Sequence, residues 1–298
     1  MKKAPTILIT GAGGFTGQHA CMNFIKKGWR TVAAVRTKQH FSLNCCSVEC
    51  DLTNFEAVRQ MIQSVDPQYI LHLAGVNSVP QSWDTPLTTM QNNVLGTLNL
   101  LEATREHAPK CNILIVGSGL EKTSQPKEPP LHPYGISKTL QRMLSESWHV
   151  LFGQHVVIAK PSNLIGPGPS NGVVSLFAKR IANEEQKNKS VELKVNNLRS
   201  QREFLDARDA VKAYELLLLK GQPGLTYEIG SGHSVSIQEI INIFQQMTSV
   251  KIKVIDQGIK ENGVAKMDTA NMEKIGWTPK IAFSDSLKDI LHYHRSLH

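Results

Sequence analysis

The segment that most constrains the fold is TILITGAGGFTGQHACMNFIKKG, residues 6–28, which passes from a short β-rich run through a glycine turn into a helical pattern. Gly11, Gly14 and Gly17 stand at three-residue spacing in that turn. Glycine lets a backbone bend tightly and come close to a ligand, and the first turn of the helix behind it offers unpaired N–H groups and the positive end of a dipole. The combination suits a pyrophosphate, so the turn is read as a dinucleotide site, with Phe15 and Thr16 beside the glycines. A strand-to-helix turn of purely structural use is the plainer alternative.

The rhythm that starts there continues. Short apolar runs at 6–10, 31–35, 69–75, 112–118 and 155–162 read as buried strands, and amphipathic segments at 15–27, 54–64, 86–107 and 134–151 read as the helices between them. Alternation of this kind implies an α/β fold, a Rossmann-type doubly wound parallel sheet with ligands at the carboxyl ends of its strands. After about residue 165 the pattern changes to a Gly, Pro and Asn-rich loop, a helical VVSLFAKRIA, and short strands such as VELKV and TYEIGSG. We therefore expect a dinucleotide-binding domain over 1–165 and a smaller α/β carboxyl-terminal substrate region over 166–298, with the chain crossing between them more than once.

Composition narrows the class. The opening MKKAPTILITGAGG is too short in its apolar part for a secretory signal, and no run suggests a membrane span, so a cytoplasmic protein without a membrane partner is expected. Cys21, Cys45, Cys46, Cys50 and Cys111 lack paired spacing and read as reduced thiols; no metal site is expected. The formal charge of +8 is spread along the chain without a basic tract. Dispersed cations suit a solvated surface or small anionic ligands such as nucleotides, and no nucleic-acid partner is expected.

At the end of the second strand, where an Asp or Glu would hold the adenine ribose of NAD, the chain reads VRTK. Arg36, with Lys38 near it, can instead pair with a 2′-phosphate, which favours NADP (NADPH) and leaves NAD possible. Asp51 and Leu52, at the end of the third expected strand, are placed to bracket adenine with one polar and one apolar contact.

Tyr134 and Lys138 lie four apart in PPLHPYGISKTLQRM, on a helix expected to begin near Pro133. An ammonium near a phenol stabilises the phenolate and lowers its pKa, which makes the phenol a usable acid. The pair alone is compatible with a plain solvated helix face. Ser118, ending a central strand in VGSGLE, adds a hydroxyl that can polarise the same carbonyl.

The G-x-x-G-x-x-G turn, the strand LHLAG, Ser118 and the Y-x-x-x-K pair together resemble the extended short-chain dehydrogenase/reductase family of nucleotide-sugar enzymes. The resemblance continues through NNVLGTLNLLEA, PSNLIGPGPSNGVVSLFAKRIA, RSQREFLDARDAVKAYELLL and YEIGSG. It implies that Tyr134 is the catalytic acid, that Lys138 positions the nicotinamide ribose and depresses the tyrosine pKa, and that Ser118 hydrogen-bonds the reacting oxygen. It also implies cofactor contacts at Leu73 and Ala74. For a nucleotide-diphosphate sugar it points to Asn163, Lys179 and Arg202, to Ser78 near the sugar, and to Lys260 in place of the family's Arg. The family's 4,6-dehydratases carry an acidic pair just after the serine, whereas this chain has Gly119 and Leu120, with Glu121 one place later. The expectation is an NADPH-dependent reductase of a nucleotide-linked 4-keto-6-deoxyhexose, with a 4-epimerase retaining tightly bound NAD as the alternative. In the family, helices such as 86–107 and 134–151 pair across a two-fold axis, which implies a homodimer.

Overall fold

A computed structural model describes residues 4–37, 45–121, 132–259 and 266–298 of the chain. Its central sheet has seven strands in the order β10-β6-β5-β4-β1-β2-β3. These are β1 (Thr6–Thr10), β2 (Arg30–Val35), β3 (Cys46–Glu49), β4 (Tyr69–His72), β5 (Asn112–Val116), β6 (Val156–Pro161) and β10 (Thr226–Ile229). The first six run parallel, with Leu8 opposite Val32 on one side and Ile70 on the other. Every residue of β1 is buried, which explains why it reads as an unbroken β-rich run rather than an alternating one.

Helices α1 (Phe15–Lys26), α2 (Phe55–Val65), α5 (Gly96–His107) and α6 (Pro133–Phe152) connect the strands. On one face Val58, Met61 and Ile62 of α2 pack with Leu100 and Leu101 of α5 against Leu8, Ile70, Ile113 and Ile115, all nearly or wholly buried. Burying such side chains stabilises the layer by about 1.5–3 kcal/mol each before the cost of ordering the chain.

Two expected elements come out differently. The third strand stops at Glu49, short of Asp51, because the Asp51 carboxylate turns the chain by accepting from the N–H and hydroxyl of Thr53. The helix expected over 86–107 runs unbroken over those bounds but is not regular: α4 (Pro86–Met90) passes through a π-helical stretch, Gln91–Leu95, into α5, with α3 (Val79–Asp84) before them. Asn92 Nδ2 donates to the Thr88 carbonyl, Thr97 Oγ1 donates to the Asn93 carbonyl, and Gly96 N–H reaches back to Gln91. Side chains thus take carbonyls that the regular ladder would use, and the turn widens.

The chain folds as two compact units, residues 1–160 with 211–227, and residues 161–210 with 228–298. The second unit holds a three-stranded sheet, β11 (Ser234–Ser236), β9 (Gln201–Asp206) and β7 (Asn163–Ile165), and a parallel pair, β8 (Val191–Val195) with β12 (Ile252–Asp256). Its core joins Phe177 and Ile181 of α7 (Val173–Gln186), Ile240 and Phe244 of α9 (Ile237–Met247), and Leu287 and Ile290 of α11 (Phe283–Arg295). Helix α8 (Ala207–Lys220) begins in the second unit and continues into the first, and α10 (Ala270–Lys274) is a single short turn. A capping box between Ser236 and Glu239 starts α9.

Candidate active site

The glycine turn is built for close approach. Gly11 has φ of +68°, and a Cβ there would lie 2.7 Å from the Ala74 backbone nitrogen and 2.8 Å from the Leu73 carbonyl carbon. A Cβ on Gly17 would fall inside contact distance of the Gly11 carbonyl, so α1 packs directly on the turn that precedes it. Leu73 and Ala74, at the carboxyl end of β4, therefore border the turn, and Gly14 holds the N-cap position of α1 with no side chain to cap it and no acidic residue in the first turn. A cradle that side chains would fill, opening onto an uncapped helix N-terminus, suits a dinucleotide pyrophosphate.

Arg36 is exposed just past β2, with Nη2 donating to Asn92 Oδ1 at 3.2 Å and its charge within reach of Asp51. Hydrogen bonds from Thr53, aided by Arg36, hold the Asp51 carboxyl below the usual range. Leu52 is half-buried, its carbonyl accepting from Asn99 Nδ2 at 2.8 Å. Lys38 lies outside the described residues.

Ser118, Tyr134 and Lys138 meet in the first unit, where β5 ends and α6 begins. Tyr134 and Lys138 are both buried, and the Ser118 side chain hydrogen-bonds the Tyr134 hydroxyl. Lys138 Nζ donates to the Val116 carbonyl at 3.0 Å and to Gln141 Oε1 at 2.8 Å. The expected depression of the tyrosine pKa is not found. Burial pushes the Tyr134 phenol up to about 12 against the pull of the Ser118 hydrogen bond, and the Glu121 charge pushes it further. Burial also lowers Lys138 to about 8, with Glu121 acting the other way. Both groups are shut away from water, and desolvation disfavours the charged form of each.

Lys138 is held by a buried polar chain that sequence reasoning missed. Gln141 Nε2 donates to Thr97 Oγ1 at 2.7 Å, and Thr97 spends its single hydroxyl proton on the Asn93 carbonyl. Thr97 can therefore only accept from His72 Nε2, 2.9 Å away, which leaves His72 Nδ1 to accept from Thr10 Oγ1 at 2.7 Å. Burial, with Lys138 adding to it, lowers the His72 pKa to about 3, in keeping with that neutral ring. Asn93, on the π-helical stretch, bridges the backbone of Val76 through both amide atoms and donates to Ser137 Oγ at 2.8 Å. A His inside an apolar strand and an amide between a helix and a glycine turn were the available signals.

Of the residues expected at a substrate, Ser78 caps α3, its hydroxyl accepting from Gln81 N–H at 3.3 Å. In the second unit, Arg202 lines a hollow of about 160 Å³ with Lys194, Asn196, Asn197 and Phe177. Asn163 and Lys179 are not among its walls. Asn163 Nδ2 donates to the Glu203 carbonyl at 2.9 Å, tying β7 to β9, and Lys179 is exposed on α7 within charge reach of His294. Lys260 lies outside the described residues.

Comparison with known proteins adds an independent line. Residues 7–230 match the sequence profile of the NAD dependent epimerase/dehydratase family. The chain is 28% identical over 307 residues to GDP-6-deoxy-D-mannose reductase of Pseudomonas aeruginosa, covering 96% of this chain and 95% of that one. The structure of RMD from Pseudomonas aeruginosa complexed with NADPH superposes with a TM-score of 0.84 at 26% identity, over 99% and 100% of the two chains. UDP-glucose 4-epimerase of Thermus thermophilus in complex with NAD gives the same TM-score at 21% identity over 98% and 100%, a likeness of fold alone. With a profile match over most of its length, on the doubly wound sheet and glycine turn described above, the chain belongs to the NAD dependent epimerase/dehydratase family.

Proposed function

We propose that the chain reduces the C4 keto group of a nucleotide-linked 4-keto-6-deoxyhexose with NADPH, as a reductase similar to GDP-6-deoxy-D-mannose reductase. The observation that carries the reading is the meeting of Ser118, Tyr134 and Lys138 at the end of β5. A bound nicotinamide supplies the hydride. Tyr134 then protonates the oxygen that gains charge, Ser118 donates a hydrogen bond to it, and Lys138 keeps a positive charge beside both. Arg36, exposed past β2 where an acidic residue would select NAD, supports NADPH.

Asn163, Lys179, Arg202, Lys260 and Ser78 are proposed to hold the nucleotide-diphosphate sugar. The hollow beside Arg202, lined by a cation and two amides, suits a nucleotide portion. Exposed Ile136, Leu140, Met143, Val150 and Leu151 mark an apolar stripe on α6 that supports a homodimer.

The test is oxidation of NADPH and NADH with GDP-, dTDP-, UDP- and CDP-linked 4-keto-6-deoxy sugars. Turnover with NADPH on one of them is expected, and no reduction of any would sink the reading. Absorbance of the purified protein showing tightly retained NAD would favour a 4-epimerase instead.

A further inference from the structure

Beneath Ser118 lies a carboxylate that the proposed chemistry does not use. The Glu121 side chain is 1% exposed. Its Oε1 accepts from the Ser118 N–H at 2.5 Å, its own N–H donates to the Ser118 carbonyl at 3.1 Å, and Leu120 N–H donates to Ser118 Oγ at 3.2 Å. Ser118 and Glu121 thus close a reciprocal turn of the kind that caps a helix. The carboxylate lies across Gly117, where a Cβ would overlap Oε1, so this turn requires glycine at 117.

The second oxygen is the informative one. Oε2 is buried and accepts no hydrogen bond among the described residues, although Arg142 Nε lies 3.5 Å from it. The charged groups facing Glu121 are Lys138 and Arg142 from α6 and Lys160 from β6, and the titratable phenol beside it is Tyr134. A buried carboxylate with a spare oxygen is costly to keep, and here the Ser118 N–H and nearby cations offset part of the cost. Its neighbours are the acid and the ammonium of the proposed reaction.

Resting on the reductase reading, we propose that Glu121 is a positioning residue of this site: Oε1 holds the Ser118 turn, and the negative charge keeps Lys138 protonated and Tyr134 in its acid form. The charge favours the proton on both groups by plain Coulomb attraction, which water screens little in so enclosed a setting. Burial in turn raises the Glu121 carboxyl to about 7, so this charge switches on through neutral pH.

Glu121→Gln separates the two duties, because the amide oxygen still accepts from Ser118 N–H while the charge is gone. The alkaline limb of the kcat/KM profile is expected to move to lower pH by about one unit, because Lys138 and Tyr134 then lose their protons more easily. A merely structural role leaves that limb in place, and that result would overturn the proposal. Near-ultraviolet phenolate titration, with Tyr134→Phe identifying the Tyr134 contribution, needs no substrate and reads the same charge. If no sugar is reduced yet Tyr134 ionises at lower pH in the Gln variant, the reductase reading fails and the placement of Glu121 survives; an unmoved titration overturns it. Should the Gln variant not fold, Arg142→Gln removes a cation that offsets the Glu121 charge, and its alkaline limb must move to higher pH; an unmoved limb overturns the proposal.

Discussion

Thr97 shows how a side chain outside any motif can decide the state of a motif residue. Its hydroxyl receives Gln141 and His72 at once, and Gln141 in turn receives Lys138. Replacing it with Val leaves two buried donors unsatisfied, so Thr97→Val is expected to lower unfolding stability by about 2 kcal/mol or more in urea titrations and to reduce kcat as Lys138 loses its tether. Arg36 belongs to the same scale. Arg36→Ala should cut the NADPH-to-NADH ratio of kcat/KM by about tenfold, the worth of one charge-assisted hydrogen bond, and an unchanged ratio would remove Arg36 from cofactor selection. Tyr134→Phe should abolish turnover and leave NADPH binding by fluorescence unaltered. Such residues were legible to different degrees. Ser118, Tyr134 and Lys138 stand in a spaced pattern, whereas His72, Thr97 and Gln141 acquire meaning only when three elements meet, and no local spacing records that meeting.

Helix α6 starts on an unusual cap. His132 takes the place where Ser, Thr, Asp or Asn commonly sits, and its Nδ1 accepts from Gly135 N–H at 2.8 Å while the ring stacks near Tyr134. Accepting that bond requires an unprotonated Nδ1. Burial lowers the His132 pKa below its ordinary value, so the unfolded chain takes up a proton first as pH falls. The stability the cap contributes is therefore fully present above about pH 6.5, the unfolded value, and is lost as pH drops from there through the folded value. Thermal melting between pH 7.5 and about pH 5 should fall less steeply in His132→Ser, which caps without titrating. Strands β1 and β8 match their sequence-read bounds, because a fully buried strand is a short apolar run and a half-buried one alternates. The helix read over 86–107 keeps its bounds but not its regular turn, since the carbonyls of Thr88 and Asn93 are taken by side chains that a hydrophobic period does not register.

For the molecule as a whole, the apolar stripe on α6 makes a checkable statement. Met143 is 48% exposed and Val150 80%. On the proposed homodimer, placing a charge in the stripe with Met143→Glu should shift sedimentation velocity from dimer to monomer, with the melting curve nearly unchanged; an unaltered chain that already sediments as a monomer, or a variant that stays dimeric, would remove the stripe as an interface. No helix among the described residues is long and apolar enough to cross a membrane. The alternation of strand and helix was readable over the first half of the chain because each crossover is local in sequence. Where the chain comes back was not: Val211–Tyr227 belongs to the first unit although it follows fifty residues of the second, and neither composition nor period marks that change of allegiance.

That return governs the order in which the protein can be born. Tyr214 and Leu217, wholly buried, and the first residues of β10 reach the first unit only after residues 161–210 have been made. A ribosome that has released 160 residues holds a sheet still missing its edge strand, open to pairing with a neighbour. Nascent chains arrested there should be cut readily by protease, and chains arrested with residue 227 well clear of the exit tunnel should resist. Dinucleotide present in the cell would reach its glycine turn early, yet the domain that bears the turn closes late.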